Sequence, residues 1–251
     1  MGIKGMCGIV GFIGGDTTVV DLSILKHRGP DSLGQIFINK EKVLLGHTRL
    51  AIQDLSESGA QPMASPSGRF IITFNGEIYN HFELRKLVDL DKNHTWLGSS
   101  DTETLTVCFE QFGVSKTIEM CDGMFAMGVW DSTQKQLYLV RDRFGEKPLY
   151  YGIVNGILMF ASELKALKAH PSFTLEIDRE SLAVFFKKNF IPSPYSIYKD
   201  IFKVMPGTIM CFDIPSYKFT ESKYWSLRSP IGNYDTIDES SLLDSIDQKL
   251  K

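Results

Sequence analysis

Residues 124–160 read MFAMGVWDSTQKQLYLVRDRFGEKPLYYGIVNGILMF. Four apolar runs, Met124 to Trp130, Gln136 to Arg141, Leu149 to Ile153 and Ile157 to Phe160, follow one another with only polar turns between them. Short runs rich in aromatic and branched residues, bounded by Asp, Gly and Asn, read as strands. Here four strands stand in a row, joined by turns containing Asp, Gly and Asn. Upstream, Phe70 to Phe74, Val43 to Leu50 and Gln35 to Ile38 read the same way, and so does Met6 to Ile13, which carries Gly8 and Gly11 and is closed by Gly14-Gly15. Downstream lie Thr208 to Phe212 and Lys218 to Trp225. Helical patterns fall at Val19 to Lys26, Phe82 to Val88, Thr102 to Phe112 (with Asp101 as N-cap and Gly113 at its end), Ser162 to Ala169 and Arg179 to Lys187. Strands, then helices, then strands is not βαβ alternation, so the pattern predicts an α+β layered fold with mainly antiparallel sheets.

The chain has 251 residues, 43% hydrophobic and 23% charged, with a formal net charge of −3. That is an ordinary globular composition with enough chain for a well-buried core. It has no Lys/Arg run to favour nucleic acid, and no apolar run near the ~20 residues of a membrane helix. The Met-Gly opening faintly suggests myristoylation, but Met6 stands where Ser or Thr is usual. Four scattered cysteines, Cys7, Cys108, Cys121 and Cys211, form no CxxC pair, which fits a reducing cytoplasm. Pro230, Gly232 and Asn233 read as a linker after residue 228, and Glu239 to Lys251 as the opening of a further helix. Residues 7–228 are thus expected to form one domain, and 229–251 the linker and the start of another.

Five constellations carry candidate chemistry. Met6-Cys7-Gly8 heads the glycine-bearing strand. A free N-terminal cysteine would hold a nucleophilic thiol and an α-amine whose pKa of ~7.7–8.0 suits a general base; the plainer reading is a buried strand cysteine. Arg49, in GHTRLAI, can grip a carboxylate bidentately, or simply make a structural ion pair. Asn75-Gly76 offers an amide and a backbone N–H that can converge on one oxyanion, or is an ordinary hairpin turn. Asp101, in SSDTE, can receive an ammonium, cap a helix, or both. The stretch from Leu139 to Tyr151, charge-dense between two apolar strands, reads only as a structured loop whose ion pairs fix the turn. No phosphate loop ending Gly-Lys-Ser/Thr and no His-Glu-x-x-His motif occurs, and the five histidines are scattered, so no metal site is expected.

Taken in order, MCGIVGF, LKHRGPDS, GHTRLAIQDLS, FNGEIYN, SDTETL, CDGMFAMGVWD, RDRFGEKPLYY, FASELKAL and PGTIM resemble the class II glutamine amidotransferases, and specifically the glutaminase half of asparagine synthase. The blocks span Met6 to about Trp225. The resemblance implies an N-terminal-nucleophile hydrolase fold, a four-layer αββα stack with two antiparallel sheets. It implies Cys7 as nucleophile, Asn75 and Gly76 as oxyanion donors, and Arg49 on the α-carboxylate of glutamine with Leu50, Ala51, Ile52 and Gln53 beside it. Glu77 and Asp101 are implied as the receivers of the α-ammonium. It also implies a synthetase domain or subunit as partner, where ATP and Mg²⁺ would activate aspartate, and allows for a homodimer. Two departures stand out. Residues precede Cys7 where the family begins Met-Cys, and the family's Ser-Gly-Gly-x-Asp-Ser loop is absent. Two other readings compete: amidation of a different carboxylate, such as a sugar acid, and a silent glutamine-binding or docking module.

Overall fold

The computed structural model describes residues 6–15, 20–92, 94–227 and 238–250. Two six-stranded antiparallel sheets carry the fold. The first contains β1 (Gly8–Ile13), β2 (Ser32–Ile38), β3 (Val43–Arg49), β8 (Tyr150–Val154), β9 (Ile157–Ala161) and β10 (Ile201–Lys203), in the order β10-β8-β9-β1-β3-β2. The second contains β4 (Met63–Ala64), β5 (Phe70–Ile78), β6 (Gly123–Asp131), β7 (Gln136–Arg141), β11 (Thr208–Asp213) and β12 (Lys218–Lys223), in the order β12-β11-β7-β6-β5-β4.

Alternation along β1 explains the layering. Ile9 and Ile13 face the other sheet and join Trp130, Leu139 and Phe212 in the inter-sheet core. Val10 and Phe12 face the opposite way and pack with Leu22, Leu25, Ala166 and Leu167. These last come from a short 3-10 turn, Leu22–Leu25, and from α4 (Leu164–Lys168). On the far side of the second sheet, Phe74, Phe125 and Val129 pack against Leu84, Leu105, Phe109 and Ile118. These belong to α1 (His81–Lys92), α2 (Asp101–Phe112) and α3 (Val114–Met120). The result is helices, sheet, sheet, helices, the four layers expected from the sequence. Phe160 seats its ring between the sheets where a Cβ on Gly11 or Gly128 would stand 2.2 or 2.5 Å from it. Those two glycines let the sheets close on a large aromatic ring.

Several local readings change. Asn75-Gly76 is no turn: β5 runs straight through it, paired to Ala126 and Phe125 of β6. Ser100, not Asp101, caps α2, accepting a hydrogen bond from Glu103 N–H at 3.2 Å; Asp101 is the first helical residue. Of the helix expected over Val19 to Lys26, the described residues form only the 3-10 turn, and α3, β4 and β10 carry signals too short to read from sequence. α5 (Arg179–Lys188) and α6 (Glu239–Leu250) lie where the pattern placed them, α6 with Leu242, Leu243 and Ile246 exposed. The Met-Gly opening, and most of the linker expected after residue 228, lie outside the described residues. Among the described residues no helix is long and apolar enough to cross a membrane.

Candidate active site

One pocket opens where the two sheets end together. Cys7 precedes β1, Arg49 ends β3, and Leu50, Ala51, Ile52 and Gln53 form the loop that follows. Asn75, Gly76 and Glu77 lie on β5, and Asp101 opens α2. All ten candidate residues line this pocket, together with Met6, Gln61, Thr102, Met124 and Lys147.

The Cys7 thiol is half-buried beside the turn after β3. Its S–H donates to Leu50 O at 3.6 Å, and Leu50 N–H donates to Sγ at 3.4 Å. Burial pushes this thiol above its ordinary value and Asp101 adds to the rise, while the Leu50 N–H, Arg28 and Arg49 pull it back. A thiol in that state needs a base to become a nucleophile. Arg28 fixes the cysteine backbone, its Nε donating to Cys7 O at 2.9 Å and its Nη1 to Glu163 Oε1 at 2.9 Å. Burial would raise the Glu163 carboxyl, but hydrogen bonds from Arg28, His27 and Lys165 hold it down to about 2.

On the facing strand, Asn75 is buried and its Nδ2 has no partner among the described residues. A buried donor left unpaired is costly, so an orphan amide on a pocket wall points to something it is built to meet. Gly76 supplies the second donor by position. Successive N–H groups on a strand point to opposite sides. Phe74 N–H donates to the Gln61 side-chain Oε1 at 2.7 Å, and Ile78 N–H to Asp101 Oδ2 at 2.9 Å. Both acceptors are side chains outside the β5–β6 ladder. Gly76 lies between these residues with the same parity, so its N–H faces the same open edge. A Cβ on Gly76 would stand 2.2 Å from Met124 O, which reserves the position for glycine.

Across the sheets, His47 Nε2 donates to Phe74 O at 3.1 Å and Thr73 Oγ1 donates to Gly46 O at 2.9 Å. Burial, and the neighbouring Arg49 charge, bring His47 down to about 4 against the weaker opposing pull of Phe74 O. It is a neutral strut that ties β3 to β5 beside the orphan amide.

Arg49 is held from behind: Nη1 donates to Ser56 O at 2.9 Å and Nη2 to Asp54 O. The Asp54 carboxylate is kept ionised at about 2 by the Ser56 hydroxyl and by the Ser99 and Ser56 N–H groups. Gln53 Nε2 donates to Glu77 Oε1 at 2.9 Å. Asp101 is pushed up to about 6, chiefly by burial and further by Glu77, against its bond from Ile78 N–H. The pocket thus presents a guanidinium on one wall, two carboxylates on another, and two amide donors beside a thiol. Such an arrangement has the chemistry to hold a zwitterion and to offer an acyl group to a thiol.

Sequence reasoning missed four contributors. Arg28, Asp54 and Lys147 stand in quoted blocks without a role. Gln61 acts through Phe74 on another element and has no local signature. Among the described residues no group of three or more His, Cys, Asp or Glu could hold a metal ion.

Residues 6–225 match the sequence family described as glutamine amidotransferase domain. The chain is 35% identical over 247 residues to the putative asparagine synthetase [glutamine-hydrolyzing] 2 of Methanocaldococcus jannaschii, covering 88% of this chain and 47% of that protein. It is 38% identical over 185 residues to asparagine synthetase [glutamine-hydrolyzing] 1 of Bacillus subtilis, covering 74% and 28%. The chain therefore spans half or less of the length of these relatives. In structure it resembles the glutamine phosphoribosylpyrophosphate amidotransferase of B. subtilis complexed with ADP and GMP, with TM-score 0.64 and 17% identity over 87% of this chain and 49% of that one. That likeness speaks for the fold alone.

Proposed function

The chain belongs to the glutamine amidotransferase domain family, and on that premise we propose that it releases ammonia from glutamine at Cys7 for the amidation of aspartate by a synthetase part. The carrying observation is the pair of donors, the orphan Asn75 Nδ2 and the edge-facing Gly76 N–H, in one pocket with the Cys7 thiol. Arg49 holds the α-carboxylate of glutamine and Glu77 and Asp101 its α-ammonium, so the side-chain amide reaches Sγ. The α-amine of a free Cys7 takes the thiol proton as sulfur attacks the amide carbon. The oxyanion settles between Asn75 and Gly76. The amine then passes the proton to the leaving nitrogen, the C–N bond breaks, and ammonia departs from a glutamyl thioester. Water, deprotonated by the same amine, hydrolyses the thioester to glutamate and restores the thiol.

Aspartate as acceptor is supported by the names of the relatives; ATP and Mg²⁺ would serve the synthetase part, and the reaction belongs in the cytoplasm. The test is Cys7→Ala, which should abolish glutamate release while Cys108→Ala and Cys211→Ala chiefly alter stability. Full glutaminase activity in Cys7→Ala would overturn the reading.

Met6 on the pocket wall favours a second state, silent until the cysteine is exposed. A chain started at Met6, with the methionine trimmed, should be active, and one retaining Met1 should not. Mass spectrometry of both N-termini checks the comparison. Equal activity with Met1 retained would remove the need for a free amine.

A further inference from the structure

The loop from Arg141 to Lys147 is braced beyond what a turn needs. Asp142 is fully buried, and its carboxylate accepts from the N–H groups of Phe125, Phe144, Glu146 and Lys147 at 2.9–3.2 Å. The Arg141 guanidinium donates to the carbonyls of Lys147, Val204 and Gly145 at 2.7–2.8 Å. What this scaffold delivers is Lys147, 7% exposed, on the wall of the active-site pocket. Among the described residues its ammonium meets no carboxylate. Among those residues Nζ reaches only Met6 Sδ, at 3.3 Å. Buried charges are ordinarily paired, because an ammonium against a thioether regains little of its hydration energy. The partner it does have sits on the residue bonded to the Cys7 nitrogen.

We propose that Lys147 is a positioning residue for the base: its buried ammonium faces the α-amine of a free Cys7 and keeps that amine unprotonated at neutral pH. The proposal rests on the glutaminase reading above and adds to it the group that tunes its base. Two positive charges confined in one low-dielectric pocket repel, so the neutral amine is favoured. The other charges around Cys7 oppose one another. Arg28, from the loop before β2, and Arg49, from β3, are cationic; Asp101, from α2, and Glu77, from β5, are anionic. Arg28 is already paired with Glu163, and Arg49 is turned onto the carbonyls of Ser56 and Asp54. Lys147 is the cation without such a commitment once Met6 is gone.

The amine can be titrated without turnover. The chain beginning at Cys7 is pulsed with acetic anhydride across a pH series, and acetylation of its N-terminus is read by mass spectrometry against a free peptide. The wild-type midpoint should lie about one pH unit below that of Lys147→Met, and Lys147→Arg should stay close to wild type. The acid limb of kcat/KM for glutamine should move upward by the same amount in Lys147→Met. Lys147→Gln serves as a second neutral variant should Lys147→Met fail to fold. Coincident midpoints for wild type and the neutral variants overturn the proposal, as does a wild-type midpoint at or above that of the peptide. A chain that never hydrolyses glutamine would defeat the functional reading instead, and the amine midpoint would still decide the role of Lys147.

Discussion

At the scale of single residues, the candidate site divides into groups that bind and groups that act on a transition state. On the proposed reaction Asn75 belongs to the second kind, because its amide is unpartnered among the described residues and is free to meet a developing oxyanion. Asn75→Ala should therefore lower kcat by ~10²–10³-fold and leave KM nearly unchanged, as measured by steady-state glutamate release. Arg49→Lys should do the reverse and raise KM, because an ammonium cannot both keep the two carbonyl bonds and grip a carboxylate in a fork. Asp101 makes a pH-dependent prediction. Its carboxyl is raised to about 6, so below that pH it is neutral and the α-ammonium of glutamine loses a counter-charge. KM should climb as pH falls through 6, and Asp101→Asn should remove that dependence by being weak at every pH. The sign for stability is opposite. A carboxyl whose folded pKa is raised favours folding when protonated, so ionisation costs stability as pH rises from the unfolded value through 6. Asp101→Asn should thus fold more stably at pH 8, by about 1–3 kcal/mol in urea melts. A loss of stability there would show that the Ile78 bond outweighs desolvation.

At the scale of elements, β5 is where sequence and structure part most usefully. Asn-Gly is the commonest hairpin signal, and a reading confined to neighbours in sequence places a turn at residue 75. The strand continues because distant groups satisfy it: Gln61 takes Phe74 N–H, Asp101 takes Ile78 N–H, and β6 pairs the other edge. The same cause moved the cap of α2. Asp101 has the right chemistry for a cap, but its carboxylate is committed to Ile78, and Ser100 serves instead. What was legible was the periodic part. Strands with clean alternation, and helices with an apolar stripe such as α2, fell near their expected bounds. Short pieces such as β4 and β10 are fixed only by their neighbours. The candidate site was legible wherever a residue's chemistry is unusual for its place, as with Cys7 before a glycine-bearing strand. It was illegible where a common residue works through a long-range partner, as with Gln61. β5 also makes the sharpest mechanical prediction. Gly76→Ala must part β5 from β6, since its Cβ would meet Met124 O at 2.2 Å and Phe125 Cα at 2.6 Å. It should cost about 1–3 kcal/mol by urea denaturation and misplace the oxyanion donors, so activity should fall even in the folded fraction.

At the scale of the whole molecule, all ten candidate residues line one pocket, while the relatives run to twice this length or more. Given glutamine, aspartate, ATP and Mg²⁺, the chain alone should yield glutamate and ammonia. Detection of asparagine with AMP, by chromatography, would mean that the chain itself carries a nucleotide site. The second sheet carries one more consequence, concerning how such a chain behaves among copies of itself. An open strand edge is a template on which another chain can add a strand. Here β12 closes the sheet as six residues, Lys218–Lys223, largely exposed and carrying lysine at both ends with glutamate between. At the opposite side, the stretch of β5 beyond its short partner β4 has its outward N–H groups at Phe74 and Ile78 occupied by side chains. A passing strand would have to neutralise charge at one edge and evict side chains at the other, so the sheet that carries Asn75 and Gly76 is also guarded against fibril growth.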